Sequence, residues 1–356
     1  MKFQFPLFVY FLWYLIILFF QIFLQPIYLK TAESLTLYQR LYLSWVSYWD
    51  SAHYVSIAAN GYKYPQQAFF PMWPLVIKIT SFILPPLLAT FILSFIFGLL
   101  TFVFFYFLAK KLTGEYYAKM ALIFFACFPS TFILHAGYTE GLFLTLTLLS
   151  FLLMEQRKYL LSAILAGFSS MTRLAGVGIA ISYLLLKQSI FKRFTLLTIG
   201  ISGILFYMLY LQTIFGNGFI FIDAQKEWCK VQGRCNFVFP LIPLINYANL
   251  LLAGWLKPSL STAFLDWLFS VIFLILLLPV TRKLGFTYFI YSLVVLILPL
   301  FSTTVGMVRY VLVAFPVFFV IPSVIKSKIL FFIVCILLFL LELRFVTLFT
   351  NRMWVA

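Results

Sequence analysis

Apolar and polar positions along this chain segregate instead of alternating: long hydrocarbon runs are divided by short charged punctuation. Runs of about 20 residues match the length a helix needs to cross a bilayer core. Taken between charge clusters, they predict about eleven spans, near 7–28, 87–109, 117–134, 139–155, 159–172, 174–187, 194–214, 263–280, 285–302, 309–325 and 329–349. The expected fold is therefore all-α, a single polytopic transmembrane domain over 1–356.

Two stretches interrupt the pattern, 30–86 and 216–262, and both read as long extracytoplasmic loops. In the first, Tyr54, Ile57, Ala58 and Tyr62 recur at helical spacing, which predicts a short amphipathic helix at the membrane surface after Asp50. Gly61 is placed to end it. Pro65, Pro71 and Pro74 then break helix, and Phe69, Phe70, Met72 and Trp73 form an aromatic cluster of the kind that anchors in headgroups.

Composition agrees with the pattern. The chain has 356 residues, 64% hydrophobic and only 10% charged, with 46 Phe, more apolar surface than a soluble core of this length can bury. The formal charge of +16 would suggest nucleic acid in a soluble protein. Here the cations sit in short runs between apolar segments, as the positive-inside bias produces, so membrane lipids and not nucleic acid are the expected surroundings. With Lys2 inside, alternation puts Lys110, Lys111, Lys119, Arg157, Lys158, Lys187, Lys192, Arg193, Arg282, Lys283, Lys326 and Lys328 inside as well. That agreement requires 159–187 to be two half-helices meeting near Arg173. The first apolar run, Pro6 to Leu29, is too long for a signal-peptide core and reads as the first span.

Against this background a few polar residues call for chemistry. Asp50, after Trp49, stands where the chain enters the first outer loop, and a carboxylate there suits a general base; it equally suits a helix N-cap. His53, three residues on, shares its helical face and can meet a phosphate, a sugar or a cation, or simply lie at the interface. Glu140 and Arg173 are ionisable groups at the ends of apolar spans, costly there unless they face a cavity or pair together. Arg309, beside Tyr310, is suited to forked hydrogen bonding of a lipid phosphate, or to snorkelling. Cys127 and Cys335 read as small core residues. Cys229 and Cys235 can close a short ring in an oxidising compartment. No clustered ligand set predicts a metal site.

Read in order, "YWDSAHYVSIAANGY", "AFFPMWPL", "YTEGLF", "MTRLAGVGI", "DAQKEW", "VRYVLVAFPVF" and "RMWVA" resemble segments of the PIG-V family of mannosyltransferases, of GT-C type. "YWDSAHYVSIAANGY" followed by "AFFPMWPL" is similar to the family's Trp-Asp-x-x-His-Tyr, Ile-Ala-x-x-Gly-Tyr and Phe-Phe-Pro-x-x-Pro run. The other five segments follow in family order, the last of them terminal. Departures are Arg173-Leu174-Ala175-Gly176 for Arg-Ser-Asn-Gly, and Gly141 where Ser is common. The resemblance implies an inverting transfer of a hexose, mannose first, from a polyprenyl-phosphate carrier to a lipid, glycan or protein acceptor on the outer face. It implies Asp50 as the catalytic residue, with Trp49, His53, Tyr54, Glu140, Arg173, Gln225, Trp228, Arg309 and Tyr310 binding substrate. The donor is a substrate, so no cofactor is expected. The compact chain suggests a prokaryotic-type member in a plasma membrane, and the family's eukaryotic enzyme works with an accessory subunit. The competing expectation is a transporter or flippase of lipid-linked sugars.

Overall fold

The computed structural model describes residues 3–25, 36–231, 238–254, 261–301, 304–353 and 355, the side chains of 229–231 excepted. The expected Cys229–Cys235 ring falls outside the described residues and side chains. Every regular element described is helical.

Along the chain, α1 (Gln4–Phe19) continues through a wider turn to Leu24. Beyond a short helical stretch at Ser44–Val46 come α2 (Trp49–Asn60) and α3 (Met72–Thr80). The long α4 (Pro86–Thr113) opens on a proline, whose missing N–H costs nothing in a first turn. It is followed by α5 (Glu115–Ala126), α6 (Glu140–Glu155) and α7 (Tyr159–Thr172). Then come α8 (Val177–Ser182), α9 (Ile190–Phe215), α10 (Ile220–Val231) and α11 (Ile242–Leu252). The series closes with α12 (Thr262–Ile275), α13 (Leu277–Leu284), α14 (Phe286–Leu300), α15 (Met307–Leu312), α16 (Phe315–Val324) and α17 (Lys328–Thr350). Among the described residues, five helical stretches are long and apolar enough to cross a membrane: Gln4–Leu24, Pro86–Thr113, Ile190–Phe215, Thr262–Leu284 and Lys328–Thr350.

Several expectations change in detail. The run 117–134 is not one helix: α5 stops at Ala126 before Pro129, and Thr131 donates its hydroxyl to the Phe125 carbonyl (2.6 Å), closing a turn. The run 309–325 divides at Val313–Ala314, where Pro316 lacks the N–H that a continuous helix would use. The expected break near Arg173 is present: Arg173 is extended (φ −154°, ψ 146°) between α7 and a short turn leading to α8. A helix is also present where one is expected after Asp50, running Trp49–Asn60 and ended by Gly61 at φ 76°. Tyr62 lies beyond it, because the left-handed glycine turns the chain away from the helical course.

The chain condenses into two compact units, one of Met1–Gly61, Met72–Leu152 and Ile321–Val355, the other of Tyr62–Pro71 and Leu153–Val320. In the first, buried polar bonds join distant spans: Trp13 Nε1 donates to Glu342 Oε1 (3.1 Å) and Gln25 Nε2 to Thr350 Oγ1 (2.7 Å). Thr101 of α4 donates to the Gly141 carbonyl of α6 (3.1 Å), and a Cβ on Gly141 would come 3.3 Å from that of Phe97. The departure from Ser at Gly141 thus suits a close helix crossing. In the second unit α7 and α9 cross on glycines. A Cβ on Gly167 would stand 2.9 Å from the Ile199 carbonyl, and one on Gly203 would strike the Gly167 carbonyl. Small residues of this kind let backbones approach where lipid supplies no hydrophobic drive.

Candidate functional site

In the first unit the site begins at the turn into α2. Tyr48 is extended and Trp49, at φ 56°, is left-handed, a conformation that bulky residues avoid. Asp50 therefore lies inside the first helical turn, and the N-cap position belongs to Tyr48, with no side-chain capping bond. The N-cap reading of Asp50 is corrected accordingly: the left-handed Trp49 starts the helix one residue before it. A carboxylate in a first turn is still favoured by the helix dipole.

Asp50 and His53 are both half-buried, and they are close enough for the Asp50 charge to act on the imidazole. Burial pushes the His53 pKa below its usual 6.5, and the Asp50 charge partly opposes that shift. Tyr54 points the other way in role: it is 7% exposed and belongs to the core under the helix.

Three motif segments far apart in sequence meet at Gly137. Its N–H donates to the Trp45 carbonyl (3.0 Å), ahead of α2, and its carbonyl accepts from the Trp73 indole of α3 (3.0 Å). A Cβ at Gly137 would collide with Ser51 and lie 2.7 Å from the Thr90 methyl. Glu140, buried at the first residue of α6, is thus carried by a loop strapped to the helix that bears Asp50.

Two neighbours were not singled out by sequence. The Arg352 guanidinium lies 4.4 Å from the Tyr48 ring centroid. His135 is fully buried among the rings of Trp45, Phe91 and Tyr14, at centroid distances of 4.7, 5.0 and 4.9 Å. Among the described residues neither imidazole nitrogen has a hydrogen-bond partner, and burial pushes the pKa down to about 3. The only cue to Arg352 was its place in the terminal "RMWVA"; His135 gave none beyond standing five residues before Glu140.

In the second unit the segment Tyr62–Pro71 is pinned from two helices. Tyr207 of α9 donates to the Gln67 carbonyl (2.8 Å), and Trp228 of α10 donates to the Pro65 carbonyl (2.8 Å) while meeting the Phe69 ring edge-on at 5.6 Å. Trp228 is therefore built into the support of this turn. Gln225, one position from the buried Ala224, stays on the exposed side of α10.

The same unit gathers two cations. The Arg173 and Arg309 guanidinium carbons lie 5.3 and 5.2 Å from the centroid of the one Tyr310 ring. Arg309 is 8% exposed, Arg173 and Tyr310 half-buried. A tyrosine face attracts a cation, but two guanidiniums at one ring repel each other unless an anion lies nearby. The break at Arg173 creates this meeting: Gly176 donates back to the Arg173 carbonyl (2.9 Å), and a Cβ on Gly176 would strike the Ser169 and Ser170 backbone. Behind Arg309, Asp266 of α12 accepts from the Gly306 N–H at Oδ2 (2.9 Å) and from the Val308 N–H at Oδ1 (2.8 Å). Among the described residues no group of three or more His, Cys, Asp or Glu side chains gathers to hold a metal.

Set beside known proteins, the chain matches the family model described as Mannosyltransferase (PIG-V) over residues 5–232. It is 27% identical over 229 residues to GPI mannosyltransferase 2 of Schizosaccharomyces pombe, covering 60% of this chain and 48% of that one. To GPI alpha-1,6-mannosyltransferase 2 of Homo sapiens it is 29% identical over 159 residues, 41% of this chain and 32% of the relative. The chain thus spans about half or less of these relatives' length. In fold it is similar to the crystal structure of ArnT from Cupriavidus metallidurans bound to undecaprenyl phosphate, with a TM-score of 0.50 at 12% identity, over 88% of this chain and 60% of that one. The matched region holds Asp50, His53, Glu140, Arg173 and Trp228; Asp266, Arg309 and Tyr310 lie beyond it.

Proposed function

Because this chain belongs to the PIG-V family of mannosyltransferases, we propose that it moves a hexose, mannose first, from a polyprenyl-phosphate donor to an acceptor hydroxyl with inversion. It is an integral, multi-pass membrane protein and a membrane glycosyltransferase by family and fold. The observation that carries the finer reading is the pair Arg173 and Arg309 at one Tyr310 ring, since converging guanidiniums suit a phosphate monoester or diester. The undecaprenyl phosphate bound to ArnT is the same class of carrier.

Inverting transfer requires a base, an attack opposite the leaving group, and a home for the departing charge. In this reading Asp50 takes the acceptor hydroxyl proton as that oxygen bonds to the sugar C1. The C1–O bond to phosphate breaks and its electron pair leaves on the phosphate oxygen, a charge of the kind that the paired guanidiniums of Arg309 and Arg173 are suited to neutralise. His53, kept neutral by burial, donates or accepts a hydrogen bond beside Asp50 without adding charge. Two guanidiniums supply what a divalent ion would, so the reaction needs no metal. The curated relatives' names point to a glycolipid acceptor. The site faces the extracytoplasmic side, where the Asp50 loop is expected from the charge pattern. Transport of lipid-linked sugars is the less favoured reading.

The test is transfer by purified protein in liposomes supplied with radiolabelled polyprenyl-phosphate mannose and an extract of glycolipid acceptors, with Asp50→Asn beside it. Labelled product from wild type alone supports the assignment. Equal product from both excludes Asp50 as the base, and movement of labelled lipid across the bilayer without product would favour transport.

A further inference from the structure

We propose that Asp266 is the positioning residue for Arg309, holding its guanidinium where the donor phosphate is met; this rests on the reading of Arg309 given above. The helix that carries Arg309 cannot orient itself. α15 has six residues, too few for its own hydrogen-bond ladder to fix a direction, and its opening N–H groups have no partner within the helix.

Met307 donates to the Thr304 carbonyl (3.2 Å) and Arg309 to that of Gly306 (3.0 Å), and Asp266 supplies from another element the partner for Val308 and for the N-cap Gly306. Its two oxygens take the N–H groups of Gly306 and Val308, one each, so the fork fixes both the position and the tilt of the turn entering α15. Gly306 is left-handed at φ 79°, the sharp bend that brings the two N–H groups onto one carboxylate. The anchor is firm: Asp266 is 2% exposed, and α12 belongs to the long apolar stretch Thr262–Leu284. Arg309 follows Val308 directly, so a shift of that N–H is a shift of the guanidinium's root.

Charge adds a second constraint. Asp266 lies close enough to Arg309 for the two charges to interact. Arg173 and Arg309 repel each other beside the one Tyr310 ring, and a carboxylate anchored close to Arg309 offsets part of that repulsion. A buried carboxylate committed to main-chain donors is costly to keep unless it holds something that matters.

Asp266→Asn keeps the size but turns one acceptor oxygen into a donor facing an N–H. Inhibition of transfer by a polyprenyl monophosphate and the donor half-saturation concentration would be measured for wild type, Asp266→Asn, Arg309→Lys and the double variant, with the acceptor constant and thermal midpoint alongside. The expected result is about a tenfold weakening of donor and inhibitor in Asp266→Asn. The acceptor constant should hold, and the change should add nothing to Arg309→Lys. Additive losses, or donor and acceptor constants moving together, would reduce Asp266 to a structural residue and overturn the proposal. If Arg309→Lys alone leaves both phosphate readouts unchanged, the phosphate reading of Arg309 fails and the role of Asp266 with it. If Asp266→Asn yields no folded protein, Asp266→Glu, which keeps the carboxylate but displaces it, must show the same donor-selective and non-additive loss.

Discussion

Trp73 donates its indole N–H to the Gly137 carbonyl over 3.0 Å, tying the end of the Phe-Phe-Pro segment to the loop that leads to Glu140. Both groups are buried, so the bond is protected from water, and the Gly137 N–H reaches on to Trp45 ahead of Asp50. Gly137→Ala should therefore disturb the segment carrying Asp50, because its Cβ would collide with Ser51. A loss of about 1–3 kcal/mol is expected for such overpacking, read as a lowered thermal midpoint in detergent together with reduced transfer. Gly61→Ala is the contrast in cause: nothing stands near its Cβ, so only the backbone resists, at φ 76° and ψ −178°, a region essentially confined to glycine, at about 1–3 kcal/mol.

Asp50→Asn should lower transfer by about 10²- to 10⁴-fold, the usual contribution of a positioned base, while leaving the thermal midpoint near wild type. The second half of the expectation follows from position and size: the N-cap of this helix is Tyr48, one residue ahead of Trp49, and Asn keeps the volume of Asp at a half-buried site. A collapse of folding with activity would identify Asp50 as structural.

Tyr310 separates ring from hydroxyl. Tyr310→Phe keeps the face on which Arg173 and Arg309 converge and should stay within about twofold of wild type, whereas Tyr310→Leu should raise donor half-saturation about tenfold, the scale of partly desolvated cation–π contacts. Donor titrations of the two variants check this, and equal behaviour of Phe and Leu would remove the ring from the site.

His135 gives a pH prediction with a fixed sign. Its folded pKa is lowered from 6.5 to about 3 by burial, so between those values the unfolded chain binds a proton that the folded one does not. Stability is then complete above about pH 6.5 and is lost as pH falls toward 3, on the order of 5 kcal/mol if nothing relaxes. His135→Phe fits the same aromatic box and should flatten the acid limb of the thermal midpoint against pH. A wild-type slope in the variant would show that other groups carry the acid sensitivity. His53 acts in the same direction, its shift limited by partial exposure and by Asp50.

If Arg173 and Arg309 meet the donor phosphate as proposed, chelation should leave transfer unchanged. Assays with and without a strong chelator, and with added magnesium or manganese, decide the point.

By itself the sequence determined what solvent this protein occupies and roughly where its helices run, because hydrocarbon length and charge punctuation are local properties that a linear reading contains. It placed a helix after Asp50, its glycine stop at Gly61 and the break at Arg173, each set by a residue's own backbone preferences. It also marked Asp50, His53 and Glu140, through motif order.

What only the tertiary structure decided were meetings between residues distant along the chain. Gly137 gives no sign in sequence that Trp45 and Trp73 both bond to it. No local pattern singles out Asp266, whose value comes from two N–H groups forty residues away and more. Arg173 and Arg309 are separated by most of the second unit, and their shared ring at Tyr310 exists because a break in one helix and a short capped helix bring them to the same place. The breaks at Ala126 and Val313 belong to the same class. Continuous apolarity concealed them, since a proline's cost depends on which carbonyl stands where its ring must go, and that is settled by packing.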